Sequence, residues 1–166
     1  IYGQLGDGTS NKLLHPMRID SARWQTVSAG LHHSTAIRHD GSLWAWGRNE
    51  YGQLGDGSKN GHSKPIPVRA LGSWKDIAAG SHHTIGLNTD GAVITWGRNQ
   101  IGQLGDGTQI NRNFPLRIGQ NRIWKRIAAN YNNCAALASD NSLWIWGSNN
   151  HGQRAYANAP QRYTPG

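Results

Sequence analysis

Short runs of apolar and polar residues, each bounded by glycine, return three times along the chain. Residues 24–29, Trp-Gln-Thr-Val-Ser-Ala, read as an alternating strand with one face buried. Gly30 ends that run. Residues 33–38, His-Ser-Thr-Ala-Ile-Arg, read as a second strand, closed by Asp40-Gly41. An Asp-Gly pair between two such runs is a strong hairpin signal. Residues 42–46, Ser-Leu-Trp-Ala-Trp, form a third strand with Trp44 and Trp46 on one face, and Gly47 and Asn49 break it. A fourth, shorter strand is expected near Pro65-Ile-Pro-Val-Arg69, where the prolines suit a sheet edge. No helical apolar stripe competes with these strands.

The period is close to 50 residues: Trp24, Trp74 and Trp124 keep that interval, as do Trp46, Trp96 and Trp146. Gly52-Gln53-Leu54-Gly55 returns as Gly102-Gln103-Leu104-Gly105, has a copy at Gly3 to Gly6, and decays at Gly152-Gln153-Arg154. The whole chain, 1–166, therefore reads as a single repeat domain. Its bodies are 24–49, 74–99 and 124–149, and its connecting segments are 1–19, 50–68, 100–118 and 150–166. Four strands in each 50-residue unit describe one blade of an all-β propeller, a four-stranded antiparallel sheet. A lone blade cannot bury both faces, so neighbours stack, with the repeated Trp and Val/Ile positions between them.

Several motifs together carry a resemblance to a known family. Residues 77–87, Ile-Ala-Ala-Gly-Ser-His-His-Thr-Ile-Gly-Leu, are followed by Asp90-Gly91, Trp96-Gly97-Arg98-Asn99 and Gly102-Gln103-Leu104-Gly105. This series closely resembles the RCC1 (regulator of chromosome condensation) repeat, and the resemblance covers the whole chain. The Trp-Asp pair of WD40 units and the Gly-Gly doublet of kelch units are both missing. The resemblance implies a β-propeller, usually of seven blades, of which this chain supplies fewer than half. Trp46, Trp96, Trp146, Gly52, Gly55, Gly102 and Gly105 then read as structural repeat residues. His33 and His83 match the one histidine typical of this repeat, and read as structural hydrogen-bonding residues. The family's range runs from a nucleotide-exchange factor for the small GTPase Ran, which also docks on nucleosomes, to enzyme inhibitors and bacterial effectors. Exchange activity rests on features outside the repeat pattern, and the uniform spacing leaves no long insertion for a wedge, so no residue here inherits it.

The third unit departs from the pattern. Asn130 stands in place of Gly80, Asn132-Asn133 in place of His82-His83, and Asn141 in place of Gly91. Asparagine is the best non-glycine residue at positive φ, so the turns are expected to survive. Gln153 to Ala157 replaces Gln103 to Gly107, which reads as a less constrained terminal unit or as local specificity; terminal repeats favour the first.

Candidate chemistry is sparse. His32-His33 and His82-His83 are adjacent along the chain, so on a strand they point to opposite faces and neither pair chelates one ion. Asn132-Asn133 interrupts any metal ring, and no metal is expected. Asp7, Asp56 and Asp106 each stand alone in Gly-Asp-Gly, where a calcium loop needs several carboxylates. Ser34, Thr84 and Cys134 hold one position next to His or Asn, with Cys134 following Asn133 and lacking a base beside it in sequence. No pair among nine acidic residues suggests general acid–base work. No catalytic residue and no cofactor follow, and an enzyme is not expected. Cys134 is the only cysteine, which excludes an intrachain disulfide and a Cys-based zinc site.

Charge changes the picture more. The net charge is +8, which suits an acidic partner, nucleic acid or plain solubility. Arg48 and Arg98 share one repeat position, with Ser148 at the third. Arg18 and Arg117 share another, and Lys75 and Lys125 a third. Equivalent positions of a propeller lie on one ring, so these six are the candidate binding residues, and an arginine arc can clamp carboxylates or phosphates. Three functions stand open from the residues: a non-catalytic module binding a protein partner, binding to nucleic acid or chromatin through the basic arcs, and a purely architectural fragment; the family resemblance alone adds a GTPase-exchange-factor-like regulator. No run of about 18 apolar residues crosses a membrane. The chain opens at Ile1 inside a repeat and supplies three bodies. Closure of the ring is expected from a longer native chain or from a homodimer that completes a six-bladed ring.

Overall fold

The computed structural model describes residues 2–69 and 72–149. Its three antiparallel sheets follow the repeat. The first sheet is β1 (Trp24–Ala29), β2 (His33–Arg38), β3 (Leu43–Gly47) and β4 (His62–Pro67), in that spatial order. The second is β5 (Trp74–Ala79), β6 (His83–Asn88), β7 (Val93–Gly97) and β8 (Arg112–Ile118). The third is β9 (Trp124–Asn130), β10 (Asn133–Ala138) and β11 (Leu143–Gly147). These are propeller blades 1 to 3. A fourth strand for blade 3 would fall in segment 150–166, outside the described residues.

Two details of the strands differ from the sequence reading. The alternation of the first strand is not strict, because a bulge separates Trp24 from Thr26 and Trp74 from Asp76. The extra residue restores the face, so Trp74 and Ile77, three apart, bury into the same core. The fourth strand starts earlier than Pro65, at His62, which pairs with Gly47. It ends at Pro67, and Val68 then donates its N–H to Leu43 O at 2.9 Å. It is an edge strand, so Pro65 and Pro67 remove no ladder bond that the sheet needs.

The apolar residues gather between blades. Ile37 and Leu43 of blade 1 pack on Trp74, Ile77 and Trp96 of blade 2. Ile85, Leu87, Val93 and Ile118 of blade 2 pack on Trp124, Cys134, Ala136, Ala138 and Trp146 of blade 3. The glycine-rich loops lock the junctions. The indole N–H of Trp46, Trp96 and Trp146 donates to the carbonyls of Gln4, Gln53 and Gln103 at 2.9, 2.9 and 3.1 Å. The Gln53 and Gln103 loops each leave one blade and dock on the next, and the Gln4 loop docks on blade 1. Gly55 and Gly105 lie beneath these rings at φ +70° and +71°, where a Cβ would fall 2.8 and 2.6 Å from the indole nitrogen. Asn49 and Asn99 tie the loops from within, accepting from Leu54 and Leu104 N–H and donating to Asp56 and Asp106. The Gly-Asp-Gly carboxylates are thus committed to loop closure.

Gly80 corrects the explanation given for Asn130. Neither Gly30 nor Gly80 has a positive φ; a Cβ at Gly80 would overlap the His83 ring. The glycine makes room for the histidine, and in the third unit Asn130 pairs with Asn133 instead. Positive φ occurs instead at Tyr131 (43°) and, as expected for the hairpin turn, at Asn141 (68°).

Candidate functional site

The basic positions do not converge on one surface. Arg48 and Arg98 follow β3 and β7 at the blade end that carries the β1–β2, β5–β6 and β9–β10 turns. Their backbone N–H groups donate to His32 O and His82 O at 2.9 Å. Lys75 and Lys125 sit at the opposite end, as the second residues of β5 and β9, and Lys125 Nζ donates to Asn141 Oδ1 at 2.8 Å. Arg117 is exposed on edge strand β8, and Arg18 lies in the first connecting segment with Nε on Asp20 O at 2.6 Å.

Around Arg48 and Arg98 a ladder of rings forms. Tyr2 meets His32 at 5.0 Å between centroids, His32 meets His82 at 5.7 Å, and His82 meets Tyr51 at 5.3 Å. The Arg48 guanidinium lies over Tyr2 at 4.7 Å and Arg98 over Tyr51 at 5.3 Å, both within cation–π range. Burial, then Arg48, Arg98 and His32, hold the His82 pKa below the ordinary histidine value. Both arginines therefore act on one imidazole. Glu50 Oε2 accepts from Arg48 Nη2 at 2.5 Å, and that hydrogen bond lowers the Glu50 carboxyl pKa. Glu50's counterpart Gln100 takes only Arg98 Nε, through Oε1 at 2.9 Å.

At the same end, the three turns border a shallow groove of about 190 Å³ that includes Leu31, Gly80, Ser81, Asn130 and Tyr131. Ser81 N–H and Oγ both donate to Tyr131 O, at 2.8 and 2.7 Å. Tyr131 is 68% exposed at φ 43°. A bulky residue at positive φ with its ring in solvent is a hint of function, because packing does not hold it there.

Sequence reasoning selected Arg48 and Arg98 but passed over Tyr2, Tyr51, Glu50, Gln100 and Tyr131. A signal was available. In the third unit Tyr, His and Arg change together, to Ile101, Asn132 and Ser148, as expected of residues that form one contact set.

The buried positions have a different geometry. His33 Nε2 lies 3.0 Å from Thr84 Oγ1, and His83 Nε2 lies 3.1 Å from Cys134 Sγ. Cys134 thus has an imidazole beside it after all, 51 residues away and on the neighbouring blade. The pair is not an activated nucleophile: burial pushes the thiol pKa well up and the His83 pKa down to about 4, so both stay neutral. Among the described residues no three His, Cys, Asp or Glu side chains group to hold a metal, and no helix is long and apolar enough to cross a membrane.

Comparison with known proteins agrees with this architecture. A family model for the regulator of chromosome condensation (RCC1) repeat matches residues 1–37, 40–87 and 90–137, and a second matches 24–53, 74–103 and 124–153. The X-linked retinitis pigmentosa GTPase regulator homolog of Caenorhabditis elegans is 40% identical over 67 residues, 38% of this chain and 5% of its own length. The ultraviolet-B receptor UVR8 of Arabidopsis thaliana is 35% identical over 71 residues, 41% of this chain and 16% of its own length. Among solved structures, yeast RCC1 (Prp20) bound to Kap60 superposes with a TM-score of 0.85 at 22% identity, over 99% of this chain and 42% of that one. Human WBSCR16 superposes with a TM-score of 0.78 at 23% identity, over 92% and 41%. The chain spans less than half the length of these relatives. With three matched repeats and a propeller-blade fold, the chain belongs to the RCC1 repeat family.

Proposed function

We propose that this chain is a non-catalytic interaction module that binds a protein partner at the blade end carrying Leu31, Tyr131, Arg48 and Arg98. The observation that carries the reading is Tyr131: an exposed aromatic ring at positive φ, beside an arginine–tyrosine ladder on the same end. Aromatic residues and arginine supply most of the binding energy at protein interfaces. Rigid, hydrogen-bonded turns present them at little ordering cost. The yeast relative was solved as a complex with a protein, Kap60, which fits this class of use.

The test places a photo-cross-linking residue at Leu31 and, as a control at the opposite end, at Lys125. A captured protein is then purified and its affinity measured directly. Adducts at Leu31 alone, with Tyr131→Ala weakening the purified pair by about tenfold or more, support the reading. Adducts at neither end, or equal affinity for Tyr131→Ala, overturn it.

Nucleic-acid binding is the weaker reading, because the basic residues divide between the two blade ends and the outer edge and form no single phosphate track. A salt slope of several counterions, lost in Arg48→Glu with Arg98→Glu, would favour it.

A second reading concerns closure. Val27 is 66% exposed although its counterpart Ile77 is 4% exposed, and Leu143 is 66% exposed although its counterpart Leu43 is 3% exposed. Both outer faces are shaped to receive a blade. A second copy would seat its Val27 face on the Leu143 face, and the reverse contact would close a six-bladed ring. Light scattering should then give about twice 18.2 kDa; a monomer overturns the two-chain ring.

A further inference from the structure

Glu50 and Gln100 occupy the same repeat position, two residues beyond Arg48 and Arg98. In blade 1 the carboxylate of Glu50 accepts from Arg48 Nη2, with Tyr2 beneath the guanidinium and His32 beside that ring. In blade 2 the arginine, the tyrosine and the histidine are all retained, as Arg98, Tyr51 and His82. Only the acid is changed. Gln100 reaches Nε, and Arg98 forms no ion pair with a carboxylate among the described residues. The chain itself shows what this contact set holds: a carboxylate on one outer guanidinium nitrogen, Nη2. In blade 1 the chain supplies it. In blade 2 no carboxylate of the described residues does.

We infer that Arg98, Tyr51 and His82 form a carboxylate-binding subsite that takes an Asp or Glu side chain from an acidic segment of the protein partner. This rests on the protein-binding reading above and gives that partner a chemistry. The guanidinium offers two parallel donors to one carboxylate. The Tyr51 ring fixes its plane from below. The half-buried site limits competition from water. The third unit lacks the subsite altogether, since Ile101, Asn132 and Ser148 stand at its three positions, so the acid is directed to blade 2. The same substitutions occur naturally within this fold, which makes them suitable as mild variants.

The test is fluorescence anisotropy of the full chain with a labelled Glu-Gly repeat peptide. A Gln-Gly repeat and a phosphoserine-Gly repeat serve as comparisons. The Glu peptide should bind and the Gln peptide should not. Arg98→Ser should weaken the Glu peptide by about tenfold or more, as loss of a charged pair does. Gln100→Glu should do the same by supplying the acid internally. Glu50→Gln should strengthen binding or add a second site by releasing Arg48. Lys125→Ser, at the other end, should leave affinity unchanged, and circular dichroism of each variant separates misfolding from lost binding. Equal binding of the Glu peptide by the native chain, Arg98→Ser and Gln100→Glu overturns the inference, as does binding of the phosphoserine peptide alone. If a partner is captured at Leu31 yet the Glu peptide is ignored, the interaction module stands and the carboxylate subsite falls. If neither occurs, both fall.

Discussion

His33 of blade 1 and Thr84 of blade 2, 51 residues apart, meet through Nε2 and Oγ1 at 3.0 Å in a fully buried junction. Thr84 Oγ1 in turn donates to Gln53 O at 2.9 Å. One hydroxyl thus joins the histidine of the previous blade to the loop that leaves it. His83 and Cys134 repeat the arrangement at the next junction. The set ends at Asn133, whose Nδ2 turns inward to Ser148 O at 2.8 Å.

These histidines set the acid limit of the fold. Burial is the main cause that lowers the His33 pKa to about 3 and the His83 pKa to about 4, against about 6.5 in the unfolded chain. Between those values the unfolded state holds more protons than the folded one, so stability rises with pH. Their contribution is complete above about pH 6.5 and is lost as pH falls toward about 4. A single such group costs up to about 1.4 kcal/mol per pH unit inside the window. Urea midpoints should therefore drop steeply from pH 6.5 to 4.5, and His83→Asn should flatten the slope. A flat native profile over that range would show that the imidazoles reach solvent.

Cys134 should be silent in the folded state. Its thiol is buried between blades and its pKa is raised by burial, while reactivity belongs to the exposed thiolate. Native protein at pH 8 should react with a thiol reagent at least about a hundredfold slower than unfolded protein. Cys134→Thr puts into blade 3 the hydroxyl that blade 2 carries at Thr84, and Gln103 O is placed to accept it as Gln53 O does. It should change stability by less than about 1 kcal/mol. Rapid labelling of native protein would mean that blade 3 opens from blade 2.

The division between what the sequence revealed and what it concealed follows from the range of each interaction. The strands, the hairpin turns and the inter-blade apolar face were legible, because alternation, Asp40-Gly41 and the Trp interval are local or exactly repeated signals. The bulge after Trp24 was not, because one extra residue leaves no mark in composition. The partners of His33 and Cys134 lie 51 residues away on another blade, and adjacency arguments about Ser34 or Asn133 could not reach them. At the binding end, repeat spacing selected Arg48 and Arg98 by charge. It also grouped them with Lys75 and Lys125, which the up-and-down path of the strands sends to the opposite end. Tyr2 and Tyr51 were marked only by the joint change of Tyr, His and Arg in the third unit, because an aromatic residue beside a glycine loop reads first as packing.

Glycines in this chain should divide by what lies above them. Gly55 and Gly72 both have positive φ, +70° and +88°, but a Cβ on Gly55 would fall 2.8 Å from Trp96 Nε1 while one on Gly72 would meet nothing within 4 Å. Gly72→Ala should cost about 1–2 kcal/mol, the backbone strain alone. Gly55→Ala should cost about 2–4 kcal/mol, since it also displaces the indole from Gln53 O. Thermal unfolding of the two variants compares them directly, and equal costs would remove the loop from the junction.

Gly80 and His83 offer the sharpest test of how a repeat can change. Alanine at 80 drives a methyl into the His83 ring, an overpacking expected to cost about 1–3 kcal/mol. Asparagine at 83 removes the imidazole from Cys134 Sγ and leaves space behind it, expected to cost a similar amount. Together the two changes relieve each other, because the shorter side chain vacates the volume the methyl needs. The third unit already carries this solution as Asn130 with Asn133. The double variant Gly80→Ala with His83→Asn should therefore cost at least about 1 kcal/mol less than the sum of the singles. Urea unfolding of the four proteins closes the cycle. Strict additivity would mean that the two asparagines of the third unit arose independently and that Gly80 answers to something other than the histidine ring.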